Sequence, residues 1–390
     1  MFQDKGYSSY YIFNRFFLTG CGIWPYGSTC LLKFFRYFWI TQQIFLMSAK
    51  IIKIFEIRYD IDTVIEAVAT LFYNIAATVK YCNGVINEKK MKFLVDKIHT
   101  DWKNVSDPME IDILSRHSSR GKLLNILYIA SVYNALLSYL LLPLSPIIMD
   151  IFMPLNESRP RQPLLIAEFF IDENKYFYSM TTYAYMTCLY GIIPLLGTDT
   201  FYMNCVHHIC GMTVILSRRI KNNINGSKKE LLRTKYQRTV DCIINHQSII
   251  EFGDGINAMY NTSFFIIIFL NTTLLTFTGV AALIKFNEGN KYEDVVRFGM
   301  FGVAEVFHLF CNNYMGQLVV NSGDEFRKNI FNSEWYQAPI KVRELVHFIQ
   351  LRNSRPILMK AGIFPLCLPN FTVVLKSSMS YFAFLQSTRY

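Results

Sequence analysis

Charge is scarce in this sequence. Lysine, arginine, aspartate and glutamate make up 17% of its 390 residues, against about 25% in an ordinary soluble domain. Too few polar side chains are present to coat two or three soluble globules, and with 52% hydrophobic and 16% aromatic residues disordered, collagen-like and coiled-coil classes are excluded. The nine cysteines contain no CxxC pair and no regular spacing, so neither a disulfide framework nor a zinc site is indicated. No glycine-rich phosphate cradle, His-Glu-x-x-His or Gly-x-Ser-x-Gly motif occurs. Hydrolase and nucleotide-driven readings therefore lack an anchor, no cofactor is implied, and an enzyme is the disfavoured class. The first thirty residues mix Asp4, Lys5, Arg15, Trp24 and Pro25 with no apolar core of signal-peptide type, so the N-terminus need not cross a membrane.

What is abundant is apolar length. Seven stretches can cross about 30 Å of hydrocarbon: 36–56, 61–83, 123–148, 176–200, 259–285, 298–320 and 365–386. Ser263 to Leu283 is uncharged, whereas the first span carries Lys50 and Lys53 and the fourth runs into Asp199 and His207. The two lysines are expected to snorkel from a helix end. The predicted fold is an all-α membrane protein of seven transmembrane helices.

Basic residues orient it. The N-terminal segment and the segments 84–122, 217–255 and 321–364 hold 27 Lys and Arg, and the opposite set holds 8. Cytoplasmic segments are the ones enriched in basic residues, which predicts an inside N-terminus and an outside C-terminus. The net charge of +10 is then explained without nucleic acid. This topology is the reverse of a G-protein-coupled receptor, and the third span lacks Asp-Arg-Tyr and the seventh lacks Asn-Pro-x-x-Tyr. Of the glycosylation sequons, Asn156-Glu157-Ser158 would face outward, while Asn104-Val105-Ser106 and Asn225-Gly226-Ser227 would face the cytoplasm.

Segment 217–255 alternates Arg218, Arg219, Lys221, Lys228, Lys229 and Arg233 with Leu231, Leu232, Val240, Ile243 and Ile244, a helical pattern with one apolar face. The fourth and fifth spans are expected to continue as helices into the cytoplasm. Residues 338–354 repeat the pattern, as a helix on the membrane surface or a packing domain that holds subunits together.

Glu66, Lys80, Asp199, His207, His208, Glu305, His308 and Lys376 are ionisable groups in or near the spans. Such groups are costly in lipid and mark functional candidates, with interhelical hydrogen bonding as the alternative. Aromatic residues and methionines crowd the outer halves: Phe72, Tyr73, Tyr139, Tyr178, Met180, Tyr183, Met186, Phe277, Phe298 and Phe301, with Ser138 among them. A cavity lined by these would suit a small volatile, apolar molecule through dispersion and shape, with few polar groups to match; bundle packing against lipid is the competing role for each residue.

Several motifs bear a family resemblance. Asn14-Arg15 followed by Gly22-Ile23-Trp24-Pro25, then Ser333-Glu334-Trp335-Tyr336, Arg352-Asn353-Ser354-Arg355-Pro356, Ala361-Gly362, Phe371-Thr372-Val373-Val374-Leu375-Lys376-Ser377-Ser378 and Ser380-Tyr381-Phe382 resemble, in order and spacing, the insect odorant receptors. The resemblance implies a ligand-gated, nonselective cation channel of the plasma membrane of olfactory sensory neurons. Four subunits would surround one pore, a tuning subunit such as this one assembling with the co-receptor Orco as a heterotetramer. It implies three regions: 1–320, the N-terminal segment and helices one to six with the odorant pocket in the outer half; 321–364, a cytoplasmic anchor; and 365–390, the pore-lining seventh helix. Ser377, Ser380, Phe384 and Thr388 fall near one face of that helix, with Phe384 expected at an apolar constriction that gates by dewetting. A gustatory receptor of the same superfamily and a metabotropic seven-helix receptor remain alternatives. The gustatory ending, Thr-Tyr, five residues, then Gln-Phe, is departed from twice, since four residues separate Ser380-Tyr381 from Gln386 and Ser387 follows.

Overall fold

The structure is a computed structural model and describes residues 10–27, 29–152, 163–172, 175–225, 231–287 and 292–389. The Asn156 sequon and residues 226–227 of another lie outside the described residues. The order is α1 Ile12–Gly20, α2 Thr29–Glu56, α3 Ile61–Ile86, α4 Glu88–Asn104, α5 Pro108–Leu140, α6 Ser145–Phe152, α7 Phe177–Gly191, α8 Ile193–Asn225, α9 Leu232–Asn287, α10 Tyr292–Phe331, α11 Ile340–Asn353, β1 Lys360–Ala361, β2 Phe364–Pro365 and α12 Leu368–Arg389.

Local chemistry starts these helices where the sequence allows. Asp60 caps α3 by accepting from the Thr63 N–H at 3.3 Å, and Asp107 caps α5 by accepting from Met109 N–H at 3.0 Å with Pro108 in the first turn, where a missing N–H costs nothing. Pro108–Leu140 and Leu232–Asn287 are long and apolar enough to cross a membrane, with windows of mean hydropathy 1.5 and 2.0. At 1.5 Å per residue the 56-residue α9 is about 84 Å long, so most of it lies outside any bilayer, as the sequence pattern of 217–255 predicts for its start.

The fourth span departs from expectation. It is two helices, α7 and α8, with Ile192 between them and Pro194 in the first turn of α8. A proline supplies no N–H and starts a helix better than it continues one.

α8 is the central post. It packs against α1, α3, α5, α9 and α10, and from Pro194 to Gly211 every residue is buried. A helix buried on all sides is usually apolar throughout, yet this one carries Asp199, Asn204, His207 and His208. Partners answer part of that polarity: Asn204 donates to Asn14 Oδ1 of α1 and accepts from Asn125 Nδ2 at 2.9 Å, Asn14 donates to Thr200 at 2.9 Å, and His208 Nε2 lies 3.1 Å from Asp101 of α4, while His207 Nε2 and His208 Nδ1 have no partner among the described residues. The His208 and Lys97 contacts hold the Asp101 carboxyl below its usual range against the opposing effect of burial.

Beyond the spans, α11 lays Val342, Val346 and Ile349 into the core beside Phe326 and Ile330 of α10. The short β1–β2 hairpin pairs Lys360 with Pro365 and Ala361 with Phe364. Gly362, at φ +64°, makes its turn and donates to Asn261 Oδ1 at 2.6 Å. Gly316 lets the chain after β2 lie directly on α10, since a Cβ there would stand 2.1 Å from the Leu366 carbonyl oxygen. The nine cysteines are free thiols.

Candidate functional site: a polar-ended cavity among the helices

A cavity of about 160 Å³ lies between α2, α3, α5, the α7–α8 joint, α9 and α10. Helix α3 supplies a stripe at helical spacing, with Glu66, Thr70, Tyr73, Ala77 and Lys80 on one face. Glu66 to Lys80 spans about 21 Å of helix axis at 1.5 Å per residue, so the chamber is long and narrow.

Its two ends are ionic. At one, Arg297 of α10 reaches Glu66 at 2.7 Å and Asp294 at 3.1 Å, and its guanidinium stands 4.5 Å from the Phe298 ring centre and 5.7 Å from that of Tyr139. At the other, Lys80 pairs with Asp199 of α8 and lies 2.9 Å from His308 Nε2. The Tyr128 hydroxyl donates to Asp199 at 2.6 Å, His308 lies 3.2 Å from that carboxylate, and Asn271 and Asn312 reach the two ring nitrogens of His308 at 3.1 and 3.0 Å. This network ties α3, α5, α8, α9 and α10 together.

Between the ends the wall is aromatic. Tyr73 and Phe301 meet edge to face with ring centres 6.0 Å apart, and Tyr139 and Phe298 complete the lining predicted from sequence. The remaining predicted residues stand elsewhere. Phe72 and Phe277 pack on each other at 6.1 Å behind the wall. Ser138 donates at 2.7 Å to the Ala135 carbonyl of its own helix. Tyr183 joins an aromatic triangle with Phe45 and Phe169. Met180 is half-buried and outside the lining, and Tyr178 and Met186 are 67% and 65% exposed on the outer face of α7.

Several lining groups were not apparent from the sequence, Lys50, Arg297, Gln43 and Asn74 among them. Lys50 does not snorkel: it is 2% exposed, and its Nζ donates to the Thr70 carbonyl at 3.3 Å inside the wall. Arg297 belongs to the cavity, not to an outer loop. Gln43, one helical face from Lys50 on α2, also lines it. The wall thus carries more unmatched polarity than the expected apolar chamber; Gln43 Oε1, Asn74 Nδ2, Thr278 Oγ1 and Glu305 Oε2 are buried with no partner among the described residues.

The second candidate surface is α12. It packs on α9 and α10 through Val374 and Ser378, the latter 3.4 Å from the Thr272 carbonyl, with Phe382 against Gly279. The other face is free: Lys376, Ser380 and Phe384 are exposed, Phe384 by 63%, and Ser377 is half-buried. The Thr388 side chain lies outside the description.

An α-helical bundle whose long apolar helices surround a ligand-sized chamber has the architecture of a helical membrane protein with an internal cavity. The 7tm odorant receptor profile matches residues 60–379, and the chain belongs to that family, whose members are membrane receptors and not enzymes. It is 23% identical over 149 residues to odorant receptor 85b of Drosophila melanogaster, covering 38% of this chain and 37% of that one. To Or1 of Anopheles gambiae it is 22% identical over 221 residues, 49% of this chain and 51% of that one. The alignments therefore span between about a third and a half of these relatives. The fold matches the insect olfactory receptor OR5 from Machilis hrabei in complex with eugenol, with a TM-score of 0.81 at 14% identity over 97% of each chain; a second structure of the same receptor gives 0.77 at 14% identity.

Proposed function

We propose that this chain is the tuning subunit of an odorant-gated nonselective cation channel, assembled with the co-receptor Orco as a heterotetramer in the plasma membrane of olfactory sensory neurons. The carrying observation is the cavity at the convergence of α2, α3, α5, α7–α8, α9 and α10, with room for one small volatile molecule. Tyr73, Tyr139, Phe298 and Phe301 are its aromatic contacts. The similarity to a receptor whose structure is in complex with eugenol supports a small organic ligand.

The pore is assigned to α12. A single chain leaves Ser380, Phe384 and half of Ser377 uncovered on one side of a helix whose opposite side is packed. Hydroxyls are unsuited to lipid contact and suited to a wet path shared between subunits. With the N-terminus inside, Phe384 lies toward the outer end of that path, together with Thr388. Residues 321–364, which pack as α11 and the β hairpin against α9 and α10, form the cytoplasmic anchor, and membrane lipid covers the outward face of α7. Ligand opens the pore only through its differential affinity for the open packing.

The test is current recorded from cells expressing the chain with Orco across a panel of alcohols, esters, aromatics and long-chain hydrocarbons. Ligand-evoked cation current with Orco and none from the chain alone is the expected result. Robust current from the chain alone, or none with any co-receptor and panel member, overturns the assignment.

A further inference from the structure

We infer that Lys50 and Asn74 form a subsite for an acceptor oxygen, and that the molecule this cavity takes is a small carboxylic acid. The inference rests on the cavity being the ligand chamber and names the chemistry of its occupant.

Three cations line the chamber, and two are answered: Lys80 by Asp199, and Arg297 by Glu66 and Asp294. Lys50 has no carboxylate within ion-pair distance among the described residues. Its ammonium makes one 3.3 Å bond to the Thr70 carbonyl while the residue is 2% exposed. An ammonium has three N–H donors, and leaving a buried charge unpaired is expensive. In the α-helical pattern the Thr70 carbonyl is also the acceptor for the Asn74 backbone N–H, so the Lys50 ammonium stands at the turn from which Asn74 projects. The Asn74 side-chain nitrogen is itself buried without a partner, and both residues line the cavity. Two donors with spare capacity converge on one turn of α3. A carboxylate offers two acceptor oxygens and the charge that Lys50 lacks, and charge-assisted bonds of this kind are about twice as strong as neutral ones.

Glu305, on α10, is the competing feature. Among the described residues it is the lining carboxylate without a cation, and its Oε2 has no partner there, which would favour an amine. The two converging donors and the deeper burial at Lys50 favour the acid, and the amine becomes an outcome of the test. An engineered apolar cavity of about 150 Å³ holds benzene, so a chamber of about 160 Å³ with aromatic walls has room for one ring bearing a one-carbon head.

Benzoic acid, benzaldehyde, benzyl alcohol and benzylamine differ only in that head. Binding is read on the purified full-length chain as the rise in unfolding temperature with ligand concentration, and gating as current on co-expression with Orco. Benzoic acid is expected to stabilise most, at the lowest concentration. Lys50→Met should raise its half-maximal concentration by about tenfold or more while moving benzyl alcohol by less than about threefold. Lys50→Arg should retain the preference for the acid, and Asn74→Leu should weaken the acid selectively by a smaller factor.

An acid preference unchanged in both Lys50→Met and Asn74→Leu overturns the subsite. So does stabilisation by none of the four, or benzylamine as the best ligand with its effect lost in Glu305→Gln. Stabilisation by the acid with no current in any cell would leave the subsite and remove the channel reading. Currents indifferent to Lys50→Met would do the reverse.

Discussion

Removing Lys80 isolates a buried anion. The Lys80 and Asp199 side chains are 3% and 1% exposed, and Asp199 also takes the Tyr128 hydroxyl at 2.6 Å and His308 at 3.2 Å. Lys80→Met keeps the bulk of the chain and deletes the charge, which costs about 3–5 kcal/mol when the partner stays buried. Unfolding entropy of about 2.1 cal/mol/K per residue over 390 residues amounts to about 0.8 kcal/mol/K. The variant should therefore unfold about 4–6 °C lower. Asp199→Asn alone should cost a similar amount by stranding the ammonium. In the double variant the asparagine still accepts from Tyr128 and no charge is left uncompensated, so most of the loss returns and the cycle shows a coupling of about 3 kcal/mol. Thermal unfolding of the four purified proteins at one scan rate, required because membrane proteins of this size commonly unfold irreversibly, reads the cycle. Losses that simply add, or a Lys80→Met protein as stable as the parent, would refute the claim that this pair braces the five helices meeting at the cavity floor.

His246, whose ring lies 5.3 Å from that of Phe326 in the segment outside the spans, is pushed down to about 4 by burial and by the Arg352 guanidinium. The folded protein holds it neutral while the unfolded chain protonates it below about 6.5, so its stabilisation is complete above that pH and is lost as pH falls toward 4. At pH 5 the loss is about 2 kcal/mol, and His246→Asn should shrink the drop in unfolding temperature between pH 7.5 and 5; equal drops would contradict the assignment. Phe384→Ala should alter leak, rectification or ion permeation while the rank order of odorants stays fixed; an altered ligand profile with untouched conduction would move Phe384 away from the pore. Gly316→Ala should destabilise by about 1–3 kcal/mol or abolish folding, because its Cβ would stand 2.1 Å from a backbone oxygen; normal yield and unfolding temperature would exclude that close approach. An epitope placed after Tyr390 should bind antibody on intact cells, and labelling only after permeabilisation would reverse the proposed orientation.

The helical plan was legible because apolar length and amphipathic spacing are written directly in the residues: α9 begins at Leu232, inside the basic amphipathic stretch, and α11 falls within 338–354. The α7–α8 break was not, since hydrophobicity continues unbroken through Gly191, Ile192 and Ile193, and only Pro194 hints at it. Composition also gives no rotation about a helix axis. Tyr178 and Met186 are of the same kinds as the lining residues and face outward, whereas Tyr73 and Phe301 point inward because their helices turn that face to a neighbour. Lys50 was missed for a related reason. Snorkelling is the default near a helix end, and only the packing of α3 against α2 shows that the side chain has nowhere aqueous to go.

The joint at Ile192 separates two kinds of evolutionary freedom. On one side of it, substitutions in the buried stretch of α8 disturb contacts in every direction at once; on the other, α7 is a short rod with one exposed flank that still contributes Thr187 and Cys188 to the chamber. Lengthening, tilting or repainting that rod reshapes the volume offered to a guest without loosening the post beneath. The shape of the chamber can therefore be altered from the α7 side with little disturbance to the packed post.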